Sequence, residues 1–189
     1  MSDALPETTN GDPLAAVEGL FARRGRQIYG EAVTQLEHAL QCAHTAERQG
    51  ASDALITAAL LHDVGHMLHA DAGQAFASGV DDRHEALGAQ WLARWFVDEV
   101  TRPIAMHVAA KRYLVRVDPH YAATLSPVSR RTLELQGGAM SDREAATFAG
   151  ARFMPAAVQV RRWDEVGKVP GRPTPTLRHF LAIASRCLR

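Results

Sequence analysis

Apolar positions recur along this chain with the spacing of helix faces, not with the alternation of half-buried strands. In "EAVTQLEHALQCAHTAERQG", residues 31–50, Val33, Leu36, Leu40 and Ala43 fall on one face and Gly50 marks the stop. "PLAAVEGLFARRGRQ" begins with Pro13 at a first-turn position, and "SDALITAALLHDVGH" opens on Ser52, a good N-cap. "HEALGAQWLARWF" and "EVTRPIAMHVAAKRYL" continue the pattern. Ser126–Pro127 supplies a cap and a first helical proline, and Gly137–Gly138 ends that helix. Ser141-x-x-Glu144 has the form of a capping box, and helices through "MPAAVQVRRWDEVG" and "TLRHFLAIASRCL" finish the chain. The pattern predicts an all-α single domain over residues 14–189, preceded by a disordered lead over 1–13. "ADAGQAFASGVDD" and "VDPHYAATL" read as the longer loops, placed to wall or cover a site. Trp91 and Trp95, four apart, read as a packing stripe.

Composition narrows the function classes. At 189 residues and 47% hydrophobic, the chain can bury a substantial core. Lys plus Arg number 21 and Asp plus Glu 21, so no net field draws nucleic acid or an anionic membrane. No apolar run approaches the ~18 residues of a membrane span. The start of the chain is polar and lacks a signal-peptide pattern, and Cys42 and Cys187 do not form a disulfide framework. A cytoplasmic monomer or small homo-oligomer acting on a small molecule is the resulting expectation. Lys111 and Lys168 are the two lysines among 21 basic residues, the other 19 being arginine. A compact ammonium and a planar guanidinium bind anions differently, so these two positions are candidate anion contacts.

Chemistry gathers at histidines and carboxylates in apolar surroundings. His38 lies in "LEHAL", His62 and Asp63 follow "AALL", His84 opens a helix, His107 sits in "IAMHVAA", and Asp164 follows Trp163. Imidazole nitrogens with carboxylate oxygens suit Zn, Fe or Mn. Neighbours on a regular helix diverge by about 100°, so His62 and Asp63 reach one ion only from a helix end. Cys42, four residues after His38, reads as a small buried apolar residue. His44, His69, His120 and His179 are given no role.

The series His38 … His62–Asp63 … Asp164 resembles the H…HD…D signature of the HD-domain superfamily, whose core is helical. His84 and His107 resemble the pair that adds a second metal. The resemblance implies a helical bundle with a dinuclear site, in which Asp63 bridges both ions. The segments "GEAVTQLEHALQCA", "AALLHDVGH", "HVAAKRYL", "LSPVSRRTLELQGG" and "RRWDEVGKVPG" are together similar to the mixed-valent diiron oxygenases that cleave the C–P bond of 1-hydroxyphosphonates. That likeness implies two irons, Fe(II)/Fe(III), with O2 as co-substrate, and phosphate plus a carboxylic acid as products. It assigns His66, Lys111, Ser129, Gln136 and Arg161 to the phosphonate and Glu31 to the catalytic site. His66 follows His62 by four residues, Lys111 follows His107 by four, and Arg161 precedes Asp164 by three. Each therefore stands about one helical turn from a candidate ligand.

One position departs from the family. "QIYGE" places Ile28 where the aminated-phosphonate enzyme carries a Tyr that can occupy an iron, with Tyr29 adjacent. Ile28 is then expected at the substrate pocket, either leaving an iron position open to water or narrowing the room at C1. Both 2-amino-1-hydroxyethylphosphonate and hydroxymethylphosphonate fit this reading. The rival is an HD phosphohydrolase acting on a nucleotide or small phosphomonoester, and a metal or phosphonate sensor is a third reading. Oxygen dependence separates the first two.

Overall fold

The computed structural model describes residues 11–28, 31–69 and 79–189. The first ten positions of the expected lead, Tyr29, and most of "ADAGQAFASGVDD" lie outside the described residues. Asp12 and Pro13 already belong to the first helix, Asp12 accepting a hydrogen bond from the Leu14 N–H.

Eleven α-helices run through the described residues: α1 Pro13–Arg24, α2 Gln35–Arg48, α3 Asp53–Leu61, α4 Val64–Leu68, α5 His84–Leu92, α6 Asp98–Val117, α7 Pro119–Thr124, α8 Pro127–Leu135, α9 Asp142–Ala149, α10 Met154–Val166 and α11 Leu177–Ala184. A 3₁₀ turn, Ser185–Cys187, closes the chain, and the extended pairing seen is a single antiparallel bridge between Phe96 and Leu188. The all-α expectation holds. Ser52, Ser126 and Ser141 cap their helices as the sequence suggests, and Ser141 with Glu144 forms the reciprocal capping box.

Two boundaries differ from expectation. α2 begins at Gln35, because Thr34 and Glu37 close a capping box of their own and fix the start there. "VDPHYAATL" is not a loop: Asp118 accepts from the Tyr121 N–H and Pro119 takes the first helical position, enough to nucleate α7.

α3 is the axis of the fold. Ile56 through Leu61 are all buried, and the helix packs against α2, α6 and α11. α10 lies across α6 and α2, and α5 is wedged between α4 and α6. The main core joins Leu20 and Phe21 of α1, Leu60 and Leu61 of α3, Ile104 of α6, and Phe180 of α11. The Trp91 and Trp95 rings meet edge to face at 5.0 Å and pack on this core from its margin. Four of the helices around the axis, α2, α5, α6 and α10, carry the candidate ligands into the centre.

Gly65 sets how closely α4 meets α5. A Cβ at this position would lie 1.9 Å from the His84 carbonyl oxygen, and one on Gly88 would lie 3.1 Å from the Gly65 nitrogen. The two backbones touch where α5 begins with His84. We expect Gly65→Ala to force α5 outward, lowering stability by about 1–3 kcal/mol and releasing metal, read by denaturant melts and metal analysis. Ser52→Ala, which removes only an N-cap, should cost about 1 kcal/mol with metal content unchanged. Equal metal retention in both variants would show that this contact does not hold the site.

Candidate metal centre and anion cavity

α3 stops at Leu61. His62 keeps helical angles, and Asp63 breaks away at φ −102°, ψ 9° before α4 begins. The break lets two adjacent side chains converge on one point, which a continuous helix would prevent. Around that point stand His38 of α2, His84 at the first position of α5, His107 in the middle of α6, and Asp164 of α10. The Asp63 carboxylate lies 3.5 Å from the Nε2 atoms of His38, His62 and His84, and 3.6 Å from that of His107. Asp164 adds oxygens 3.4 Å from His38 Nε2 and 3.9 Å from His62 Nε2. The structure thus brings together all six residues singled out from the sequence.

The second ring nitrogens fix what the first can do. Nδ1 of His62 donates to the Ala59 carbonyl at 2.9 Å, that of His107 to Ile104 at 2.8 Å, and that of His38 to Gly167 at 2.9 Å. His84 Nδ1 donates to Asp82 Oδ1 at 2.9 Å. A carbonyl oxygen only accepts, so each Nδ1 carries its proton and each neutral ring presents a lone pair at Nε2. Yet the Nε2 atoms of His38 and His62 approach to 3.2 Å, and those of His84 and His107 to 3.2 Å. Although burial opposes it, the surrounding acidic groups raise the pKa of His38 and of His84, so in each pair a proton can lie between the two nitrogens, and a bound metal cation would take its place. Burial, reinforced by neighbouring histidines, holds His62 and His107 below the ordinary imidazole pKa. Burial alone would raise Asp63 and Asp164. The surrounding histidines in the first case, and Arg161 and Lys168 in the second, outweigh it and keep both ionised. Neutral imidazoles beside carboxylates are the chemistry of a transition-metal site. His38, His62, Asp63 and Asp164 could hold one ion, and Asp63, His84 and His107 a second. Cys42 Sγ lies 3.8 Å from both His38 ring nitrogens, but burial raises its thiol pKa and it donates to the Trp163 carbonyl at 3.5 Å.

A cavity of about 110 Å³ opens beside this centre. Asp63, His66, Lys111, Ser129, Gln136 and Arg161 all border it, as does Glu31. Lys111 is 3% exposed and donates to Thr132 Oγ1 at 2.9 Å. Burial, with Arg161 and Lys168 nearby, pulls its pKa down to about 7. Arg161 pairs with Asp164 and Glu165 and donates to Tyr121 Oη at 2.6 Å and to Ser129 Oγ at 3.3 Å. Ser129 sits in the first turn of α8, where the helix dipole favours an anion. Gln136 has its Oε1 buried without a hydrogen-bond partner. His66 donates from Nδ1 to Asp82 Oδ2 at 2.6 Å.

Ile28 is not brought to this cavity. It is 59% exposed and is not among the residues that line the cavity. Lys168, in contrast, belongs to the cavity and had been given no definite role. Its ammonium lies 2.9 Å from Ser129 Oγ, 3.1 Å from Glu31 Oε1 and 3.8 Å from Asp164 Oδ1. The lysine bias and the four-residue step from Asp164 were the available signals. Asp82, Thr132 and Glu165 were missed. Only "DDRHE", an acid two residues before His84, hinted at the first.

The HD domain family matches residues 36–144, which makes the chain a helical HD-domain protein with its histidines and aspartates gathered in the core. It is 45% identical over 183 residues to the hydroxymethylphosphonate dioxygenase of Gimesia maris, covering 95% of this chain and 90% of the relative. It is 39% identical to the [1-hydroxy-2-(trimethylamino)ethyl]phosphonate dioxygenase (glycine-betaine-forming) of Leisingera caerulea, over 96% and 93% of the two chains. A protein of Acanthamoeba polyphaga mimivirus with no described activity shares 33% identity over 82% of this chain and 72% of its own. The chain belongs to the HD-domain phosphonate oxygenase family. Among the described residues no helix is long and apolar enough to cross a membrane.

The state of Lys111 gives a pH test. Below about pH 7 the amine is charged, and above it becomes neutral in the anion-free protein. An unfolded lysine stays protonated to about pH 10.4, so between these values this group favours folding more as pH rises. Anion affinity runs the other way. Sulfate, whose charge is constant here, should bind metal-stripped protein more weakly as pH climbs through about 7, measured by calorimetry. Lys111→Gln should weaken binding and flatten the slope, and an unchanged slope would contradict the assignment.

Proposed function

We propose that this C–P-cleaving oxygenase acts on hydroxymethylphosphonate, converting it with O2 to phosphate and formate in a reaction that depends on two iron ions. In the balanced reaction, a C–H bond and the C–P bond break and carbon and phosphorus each gain an oxygen. One O2 is reduced by four electrons drawn from the substrate, and a proton is released. Size is the observation that carries the choice of substrate. The cavity of about 110 Å³ is well below the roughly 300–1,000 Å³ of pockets that take drug-sized ligands. It also offers three cations to a dianion. Two features disfavour a substrate with an ammonium group. Acids that line the cavity are already engaged: Glu31 pairs with Lys168 and accepts from Ser126 Oγ at 2.8 Å, Asp82 accepts from His66 and His84, and Asp164 pairs with Arg161. The cations around the cavity repel a second positive charge. The identity to the Gimesia maris enzyme supports the same choice.

The roles of the side chains follow from their chemistry. His38, His62, Asp63 and Asp164 would hold one iron, and Asp63, His84 and His107 the other. When bound, the irons supply redox chemistry toward dioxygen and positive charge toward the substrate oxygens. Lys111, Arg161 and Ser129 donate to the phosphonate, with His66 and Gln136 at the same wall. Arg161 is held against Asp164 and Glu165, so its guanidinium needs no rearrangement to meet an anion. Lys168 spans Glu31, Asp164 and Ser129 and balances the acids facing the cations. The unpaired, buried Cys42 and Cys187 suit a reducing cytoplasm.

Iron-loaded enzyme under air should release phosphate and formate from hydroxymethylphosphonate in equal amounts, with one O2 consumed per turnover. Its kcat/KM should exceed that for 2-amino-1-hydroxyethylphosphonate by roughly 10–200-fold. Phosphate should not form without O2. Equal rates on both substrates would remove the size argument, and oxygen-independent release of phosphate from phosphomonoesters by Mn-loaded protein would restore the hydrolase reading.

A further inference from the structure

Asp82 touches the metal centre and the anion cavity at once. Its Oδ1 accepts from His84 Nδ1 at 2.9 Å and its Oδ2 accepts from His66 Nδ1 at 2.6 Å. The two rings lie stacked with centroids 3.8 Å apart and planes 20° from parallel. One carboxylate thus holds a candidate ligand ring and a candidate phosphonate donor side by side. The backbone is bent to make this possible. Arg83, between Asp82 and His84, sits at φ 49°, ψ 37°, the non-glycine residue with positive φ among those described. A left-handed arginine is disfavoured, and local strain of this kind persists where the surroundings hold it in place. Here it folds Asp82 back under the first residue of α5, where the His84 N–H also reaches Oδ1 at 3.3 Å. Burial alone would raise the Asp82 pKa, but hydrogen bonds from His66 and His84 hold it below the ordinary carboxylate range.

We propose that Asp82 is a positioning residue that couples the two sites: it aims His84 Nε2 at the metal centre and fixes the His66 ring against the phosphonate. The inference rests on the phosphonate reading above. A ring that can rotate loses both a fixed tautomer and a fixed direction. Partners of ligand histidines accordingly carry a 10–100-fold share of metal affinity in other sites. Toward the anion the carboxylate acts in the opposite sense: donation to a phosphonate needs an N–H at Nε2 as well as the one given to Asp82, so Asp82 there pairs with the ring as an imidazolium.

The test separates these two arms by a double-mutant comparison in the full chain. Inorganic phosphate is titrated into metal-stripped wild type, Asp82→Asn, His66→Gln and the double variant. Retention of Fe(II) against a chelator is measured on the same four proteins. Asp82→Asn should weaken phosphate binding roughly 10-fold or more and add no further loss to His66→Gln. It should also weaken iron retention 10–100-fold, which His66→Gln should leave nearly intact. A purely structural role would lower melting temperature without this split. Asp82→Glu keeps both acceptor oxygens and should restore part of each effect. It carries the same comparison if the Asn variant does not fold. Phosphate losses that multiply in the double variant, or iron retention untouched by Asp82→Asn, would overturn the proposal. Failure of the wild type to bind phosphate would instead overturn the phosphonate reading and the anion arm with it.

Discussion

Asp63 lies within 3.6 Å of four imidazole nitrogens, each of them an Nε2 whose ring is pinned by a hydrogen bond at Nδ1. Without a positive charge this arrangement opposes folding. Imidazole nitrogens crowd to 3.2 Å, where a proton or a metal ion must lie between them, and two ionised carboxylates are taken out of water. With cations the same atoms become a ligand set, so metal binding and the stability of the core are linked. Much of the architecture serves this constraint. The helix break at Asp63, the glycine contact between α4 and α5, and the left-handed Arg83 each bring a backbone to where a side chain must point. Gly167 does the same for α10. A Cβ there would meet Cys42 Sγ at 2.4 Å, and its carbonyl fixes the His38 ring.

Charge is layered outward from this centre. Asp164, which faces the histidines, is backed by Arg161 and Lys168, and these cations in turn border the cavity. Lys111 stands apart from this pairing. It contacts a hydroxyl, not a carboxylate, and so it is the cation whose charge an incoming anion would restore. On the proposed reading, anion and metal would be held by overlapping sets of residues rather than by separate modules.

Periodicity and caps made the helical fold readable before any coordinates, because Ser52, Ser126 and Ser141 act locally and their partners lie three residues away. Asp63 and the five residues around it were also readable, since ionisable groups in apolar helices announce themselves by their cost. What the sequence concealed depends on distant backbone. Gly65 carries no signal of the α5 carbonyl that it must clear, and Asp82 serves His66 from 16 positions away. Lys168 was noticed for its rarity, but its place beside Glu31 needed the approach of α10 to the segment before α2. Ile28 failed in the opposite way. A position inferred from a family pattern carries no information on the path of the backbone, and the side chain is exposed. The helical run of α7 is only six residues, too short to show a periodicity, although Asp118–Pro119 carries the start signal.

The arrangement around Asp63 can be tested without turnover. Crystals of iron-loaded protein, measured on either side of the iron absorption edge, locate iron independently of any assumption about ligands. Two anomalous peaks about 3.5–4 Å apart are expected, one on each side of the Asp63 carboxylate, the first facing His38, His62 and Asp164 and the second facing His84 and His107. A single peak, or iron seated between His66 and Asp82 instead of beside His107, would contradict a dinuclear centre bridged by Asp63.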